Sequence, residues 1–232
     1  LLERFLMANH IEFLPLISQL SEKRLPQAYA GISEGSVKTL VTIEENRYGI
    51  GIWPGDVRFV KPILEKWGPF KGHLSVGVKH LHSALNIYRP IRVFDEVLIM
   101  FVDKEHFIFK PKHKPERLSS EELPKPWTRD FKGIAYGIRV NGKIVSCGTV
   151  SHMVEGIGSH GAAIGTDPEY QNRGYATSTL SYAVRDALDL VPIVTYYVEY
   201  NNMPAVRVLE KLGFRLYSAF LYTEVEKRKI TE

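Results

Sequence analysis

From Gly161 to Gly213 the apolar residues change period again and again, and this alternation limits the fold more than any other stretch of the chain. Gly161 to Thr166 is a short run of small and β-branched residues that stops at Asp167-Pro168. After Tyr175, residues Ala176, Leu180, Ala183, Val184 and Ala187 recur at i, i+4, i+7, i+8 and i+11, one face of an amphipathic helix. Val191-Pro192 ends that helix, and Ile193 to Glu199 is β-branched and aromatic throughout. Pro204 suits the first turn of a second helix, whose Ala205, Val208, Leu209 and Leu212 repeat at i, i+3, i+4 and i+7 before Gly213 supplies a left-handed stop. Upstream, Ile134 to Val140 and Lys143 to Ser151 flank Asn141-Gly142, a strong hairpin signal. Phe214 to Tyr217 and Ala219 to Val225 are read as closing strands. The order hairpin, strand, helix, strand, helix, strand predicts an α/β (α+β) mixed sheet with helices packed on it.

A second constraint is the stretch Lys110 to Pro126, where four prolines and many charges interrupt any regular period. It reads as a surface connection, giving an N-terminal α/β domain at 1–109, a connection at 110–127 and a C-terminal domain at 128–232. In the first half, Val37 to Ile43 and Tyr48 to Ile52 form a hairpin around Glu44 to Arg47, and Asp56 is a plausible N-cap for a helix running to Trp67. Glu96 to Val102 is a further strand, and Phe107 to Phe109 can open another.

Composition excludes several classes. With 44% hydrophobic and 24% charged residues the chain is expected to be globular rather than disordered. It contains no run of about eighteen apolar residues and opens without the pattern of a secretory signal, so a cytoplasmic location and no membrane partner are expected. The lone Cys147 agrees with a reducing compartment and reads as a packed strand thiol. Basic residues are not concentrated in an aromatic-interleaved stretch outside the connection, so no nucleic-acid partner is expected. His73 and the pair His80 and His82 lack a third ligand at a recognised spacing, so no metal is expected.

The chemistry sits where a strand ends, turns through Gly174 and feeds a helix. A helix N-terminus offers unpaired N–H groups and the positive end of its dipole, a site for phosphate. Gly174 permits close approach to the main chain, Ala176 keeps the next turn small and Arg173 adds positive charge, while Gln171, Asn172, Tyr175 and Thr177 complete the turn.

Gln171-Asn172-Arg173-Gly174-Tyr175-Ala176 resembles the Gln/Arg-x-x-Gly-x-Gly/Ala pyrophosphate loop of the GNAT superfamily of N-acetyltransferases. Asn202-Met203-Pro204-Ala205 and Glu210-Lys211-Leu212-Gly213-Phe214 are similar to that superfamily's downstream Asn-x-x-Ala helix and its Glu-Lys-Leu-Gly-Phe end. The resemblance covers about residues 128 to 226 and implies a GNAT-like fold that transfers an acetyl group from acetyl-CoA (coenzyme A) to an amine. It implies that main-chain groups of Ile164, Gly165 and Thr166 bond the pantetheine arm, that this strand splays from Ile193 to Glu199, and that Asn202 binds the cofactor. Asn202 also reads as a helix cap, and both roles can coexist. The first half is similar, through its strand, strand, helix order, to the degenerate GNAT-like halves of two-part acyltransferases, and an unrelated small α+β domain fits the same order.

An alkyl amine must lose a proton before it attacks, at a cost of about 4.6 kcal/mol at neutral pH, so a base or a water relay is expected. Glu199 and Glu155 are the carboxylates nearest the expected slot, with Glu199 favoured, and His160 and His152 are the other candidates. Many family members place a tyrosine acid just before Glu-Lys-Leu-Gly-Phe, where this chain has Leu209; either Tyr217 or Tyr222 substitutes, or the thiolate leaves without an assigned acid. Tyr196, Tyr197 and Tyr200 can line an acceptor pocket for a small-molecule amine or a peptide N-terminus.

Overall fold

The computed structural model describes residues 2–8, 10–11, 14, 16–17, 27–44, 49–53, 57–69, 71–77, 81–123 and 131–228. They fall into two compact units: Leu1–Asn9, Glu22–Val97 and Ala219–Glu232 form one, and His10–Ser21 with Leu98–Ser218 the other. This division differs from the expected 1–109, 110–127 and 128–232. The first unit stops at Val97 and takes back the end of the chain, while the described part of the proline-rich stretch belongs to the second unit.

The first unit begins with α1 (Leu2–Ala8) and continues through β1 (Gln27–Ser33), β2 (Ser36–Glu44) and β3 (Gly49–Trp53). β2 and β3 pair antiparallel from Leu40↔Trp53 to Glu44↔Gly49, the hairpin expected from their alternating β-branched residues. A 3-10 turn (Val57–Phe59) leads into α2 (Val60–Trp67), which buries Val60, Ile63 and Leu64. Asp56, its expected cap, lies outside the described residues, as do His80, Tyr48 and the loop 45–47. β4 (Lys71–Gly77), α3 (Leu81–Leu85) and β5 (Tyr88–Pro90) follow. The closing strand of the chain, Arg215–Lys227, pairs antiparallel with β4 from Phe220↔Gly77 to Glu226↔Lys71 and with β5 on its other side. Lys227 Nζ donates to the carbonyls of Leu64, Glu65 and Gly68, which satisfies the C-terminal end of α2. His73 stacks on Tyr222 at 5.7 Å, and among the described residues no group of histidines, cysteines and carboxylates could hold a metal ion.

In the second unit, β6 (Asp95–Asp103) enters from the first and β7 (Glu116–Arg117) pairs with β8 (Gly133–Val140). β8 and β9 (Lys143–Val154) form the hairpin around Asn141 and Gly142, whose φ values of 50° and 80° are those a two-residue turn demands. Then come β10 (Gly158–Thr166), a 3-10 turn (Pro168–Tyr170), α4 (Tyr175–Leu188), β11 (Ile193–Glu199) and α5 (Met203–Lys211). The strands lie in the order β6-β11-β10-β9-β8-β7, mixed as expected: β8, β9 and β10 are antiparallel and β10 with β11 parallel.

Two expectations need correction. Phe107 to Phe109 forms no strand; Ile108 N–H bonds the Leu212 carbonyl at 3.0 Å and the segment stays irregular. The two closing strands are one, β12 (Arg215–Lys227), because Ser218 neither lacks an N–H nor prefers a left-handed backbone, so the extended run continues through it.

The core of the second unit lies between its sheet and the helices α4 and α5: Leu180, Val184, Val194, Leu209 and Leu212 are fully buried. Gly148 on β9 lets α4 press against the strand, since a Cβ there would lie 2.7 Å from Leu180 N and 2.8 Å from its Cα. Cys147 is buried, and burial pushes its thiol up to about 12. The folded protein is therefore expected to resist iodoacetamide at pH 8, the thiol becoming reactive only in denaturant. Quantitative alkylation without unfolding would contradict this packing.

Candidate active site

The site is built from the parting of two strands. β10 and β11 pair at Ser159↔Val194 and His160↔Thr195, and among the described residues no further rungs join them although β10 runs on to Thr166 and β11 to Glu199. Tyr196 accounts for the irregularity. Its ring lies where a Cβ on Gly161 would fall, and its hydroxyl donates to the Thr149 carbonyl on β9, so the side chain crosses beneath β10. The β10–β9 register shifts at that place, between Gly161 and Ala163, and the Thr149 hydroxyl takes over both main-chain groups of Ala163, at 2.8 and 3.1 Å. Gly165 likewise turns its carbonyl toward β9, where the Ser146 hydroxyl donates to it at 2.9 Å. Strand alternation then aims the main-chain groups of Ile164 and Thr166 at the open edge. Of the three residues expected along the pantetheine arm, Gly165 has its carbonyl bonded to Ser146.

β10 ends in the 3-10 turn, and the chain passes through Asn172 (φ 61°) and Gly174 (φ 84°) into α4. Gly174 is the N-cap and supplies no side chain to the orphan donors. Ser178 N–H is the first to bond back, to the Gly174 carbonyl at 3.0 Å, which leaves the N–H groups of Tyr175, Ala176 and Thr177 without an intrahelical acceptor. They edge a cleft of about 760 Å³. Ile164, Gly165 and Thr166 line one part of it, Gln171, Asn172 and Gly174 the turn, and Asn202 the side toward α5. Asn202 is also a cap, its Oδ1 accepting the Ala205 N–H at 3.3 Å.

Arg173 does not reach this cleft. Its guanidinium donates to the Glu169 carbonyl at 3.0 Å and lies 5.2 Å from the Tyr170 ring centre, turned along its own loop. Positive charge comes from four residues not anticipated: Lys110, Lys112, Arg207 and Lys211 all line the cleft. The first two belong to the stretch read as a connection. That segment is pinned to α4 by two hydroxyls, Ser181 accepting the Lys110 N–H at 2.9 Å and Ser178 accepting those of Lys112 and His113 at 3.0 and 3.1 Å. His113 Nε2 donates to the Arg173 carbonyl at 2.9 Å, tying the segment to the glycine turn itself. The one sequence signal for this contact is the pair of serines, Ser178 and Ser181, on the buried face of α4.

The expected catalytic groups are not gathered in the cleft. Parallel pairing puts Glu199, at the end of β11, at the same end of the slot as Thr166 and the glycine turn. Glu155 lies in the turn before β10, beyond the opposite end. Tyr217 is exposed and packs edge-on against Phe101 at 6.1 Å, while Tyr222 belongs to the first unit. Leu209 is fully buried in the core. The three tyrosines separate: Tyr196 is in the core, Tyr200 is exposed, and Tyr197 lies on the other face of β11, 4.5 Å from the His160 ring. The His152 side chain is outside those described.

A sequence model of the Acetyltransferase (GNAT) family matches residues 99–214, half of the chain. The chain belongs to that family. It is thereby an acyltransferase, and the matched span carries the splayed strands, the glycine turn and the helices α4 and α5. No curated protein sequence matches it. Among solved structures it is similar to a GCN5-related N-acetyltransferase from Kribbella flavida, at 12% identity over 94% of this chain and 95% of that one, with a TM-score of 0.65. It is also similar to a GNAT-family acetyltransferase from Colwellia psychrerythraea, at 10% identity over 96% of each chain and a TM-score of 0.57. A tandem GNAT protein from the clavulanic acid biosynthesis pathway covers 94% of this chain, and is itself covered over 89%, at 12% identity and a TM-score of 0.56. At these identities the likeness shows the fold, and that fold extends over nearly the whole chain. Among the described residues no helix is long and apolar enough to cross a membrane.

Proposed function

We propose that the protein transfers an acetyl group from acetyl-CoA to the nitrogen of an amine, a small molecule or a peptide N-terminus. The observation that carries this is one cleft in which unpaired N–H groups of Tyr175, Ala176 and Thr177 meet Lys110 and Lys112 beside the open edge of β10. The donor set suits a diphosphate: helix N-terminal N–H groups and two lysines edge one cleft, and the stem of Lys112 passes 3.2 Å from where a Cβ on Gly174 would stand. Ile164 and Thr166 bond the amides of the arm, which supplies the thioester, and Asn202 closes the cleft from α5. The first unit is proposed as a degenerate GNAT-like half with a packing or substrate-shaping role, a reading supported by the tandem relative. The buried, unpaired Cys147 supports a reducing, cytoplasmic compartment.

A catalytically silent acyl-CoA-binding module is favoured by one observation, the buried Leu209 where many members carry an acidic tyrosine. Titration with acetyl-CoA, followed by measurement of free thiol released across a panel of primary amines, separates the two. Binding with amine-dependent thiol release is expected; binding without release on any amine selects the module, and no binding removes both. Lys110→Ala with Lys112→Ala is expected to weaken acetyl-CoA binding about 10- to 100-fold and to flatten its salt dependence, two phosphate-facing charges being lost. Unchanged affinity in the double variant would remove this segment from the site.

A further inference from the structure

The acetyl-CoA reading assigns the turn, the β10 edge and two lysines, and the following inference rests on that reading. Four cations line the cleft, Lys110, Lys112, Arg207 and Lys211, and among the described residues no carboxylate does. Elsewhere in the same unit cations are matched, as Lys104 is by Asp189, Lys143 by Asp167 and Arg215 by Asp103. Among the described residues none of the four in the cleft has such a partner. Like charges gathered without counter-charges repel one another until an anion from outside joins them.

The four divide into two pairs. Lys110 and Lys112 stand by the α4 N-terminus, where the diphosphate is proposed to lie. Arg207 and Lys211 belong to α5, on which Pro204, Arg207, Val208 and Lys211 fall at i, i+3, i+4 and i+7 and line the cleft as one stripe. Arg207 and Lys211 are one turn apart, about 6 Å along the axis, so two long side chains can meet on one anion. Both are exposed, while Val206 and Leu209 fasten the helix to the core. Lys211 lies in the last turn, where the helix dipole favours any cation; Arg207 stands a turn earlier and gains little from it.

Coenzyme A carries two separate anions: its diphosphate, and a monophosphate on the ribose of its adenosine that bears roughly two charges at neutral pH. The arm leaves the diphosphate toward Ile164 and Thr166, so the adenosine must leave in another direction. The α5 stripe is cationic lining that neither diphosphate nor arm uses, and its apolar members, Pro204 and Val208, give a sugar or base a surface to lie on. We infer that Arg207 and Lys211 form a subsite for the ribose phosphate of acetyl-CoA, by which the protein distinguishes coenzyme A from dephospho-CoA, the same molecule without that phosphate. The guanidinium offers a fork of N–H groups to the phosphate oxygens, and the ammonium adds a point charge.

Titration calorimetry of the whole chain with coenzyme A and with dephospho-CoA tests this. The unaltered protein is expected to bind dephospho-CoA about 10-fold more weakly, a modest factor because both cations are exposed to solvent. With Arg207→Gln and Lys211→Gln together, coenzyme A affinity should fall by about the same factor, leaving the two ligands equal within about twofold. Glutamine is a good helix former at exposed positions, so the melting temperature should hold. Lys110→Ala with Lys112→Ala should instead weaken both ligands in proportion and preserve the gap. A general loss of positive field would weaken both ligands alike in the α5 variant, and a gap that survives there overturns the subsite. Equal affinity of the unaltered protein for the two ligands, or a gap erased by the lysine variant, overturns it as well, in each case with coenzyme A binding itself intact. Failure of the unaltered protein to bind coenzyme A at all would instead sink the reading beneath the inference.

Discussion

Gly174→Glu is expected to reduce acetyl-CoA affinity at least about 100-fold, a loss of roughly 2.7 kcal/mol read by titration calorimetry. Three effects act in one direction. The backbone at φ 84° tolerates glycine and strains any side chain, the new Cβ would come within 3.2 Å of Lys112 Cδ, and the carboxylate would enter the space a phosphate needs. The strain, of order 1 kcal/mol, is partly offset for the fold because an anion at a helix N-terminus is favourable. Binding should therefore fail while the melting temperature shifts by only a few degrees. Gly174→Ala, with strain but no charge, should fall between. Wild-type affinity in the glutamate variant would mean that the diphosphate lies elsewhere.

Gly148→Val acts on the scaffold that holds those donors in place. The atoms a side chain would meet are Leu180 N and Cα, main-chain atoms of α4 that no rotamer can move aside. Either the helix lifts from β9 and opens the packing around Leu180 and Val184, or the strand bends. Destabilisation of about 3 kcal/mol is expected, a fall in melting temperature of roughly 6–12 °C. Affinity for acetyl-CoA should fall as well, because the α4 N-terminus moves with the helix. Gly77→Ala, where an added Cβ meets nothing within 4 Å, is the control and should leave stability within about 0.5 kcal/mol. A melting temperature unchanged by Gly148→Val would refute the close helix–strand contact.

The sequence made legible what is locally encoded. Asn141-Gly142 announces its hairpin because few residue pairs accept positive φ twice running, and β11 shows its limits because Val191-Pro192 and Asn201-Asn202 break regular structure on both sides. The turn from Gln171 to Ala176 is local in the same sense. The segment that brings Lys110 and Lys112 to it is not. Its irregular backbone is held by hydroxyls of Ser178 and Ser181, some sixty to seventy residues away, and such bonds leave no period in a sequence. The first residues of the stretch that reads as a connection, Lys110 to His113, here pack on α4, and Lys110 and Lys112 line the cleft. Arg173 differs for a related reason: its place in the loop is evident in the sequence, but the Glu169 carbonyl and Tyr170 ring that claim its side chain are not. The direction of the parallel pairing decides which end of the slot each acid occupies, and proximity in sequence to a strand end could not supply it.

The central claim is that main-chain donors at the start of α4 hold a diphosphate while the arm lies along the open edge of β10. A crystal structure with coenzyme A bound tests it most directly. The account predicts diphosphate oxygens within hydrogen-bonding distance of the N–H groups of Tyr175, Ala176 and Thr177, with the arm's amides paired to Ile164 and Thr166. Coenzyme A seated away from this turn, with those three N–H groups bonded only to water, would contradict it.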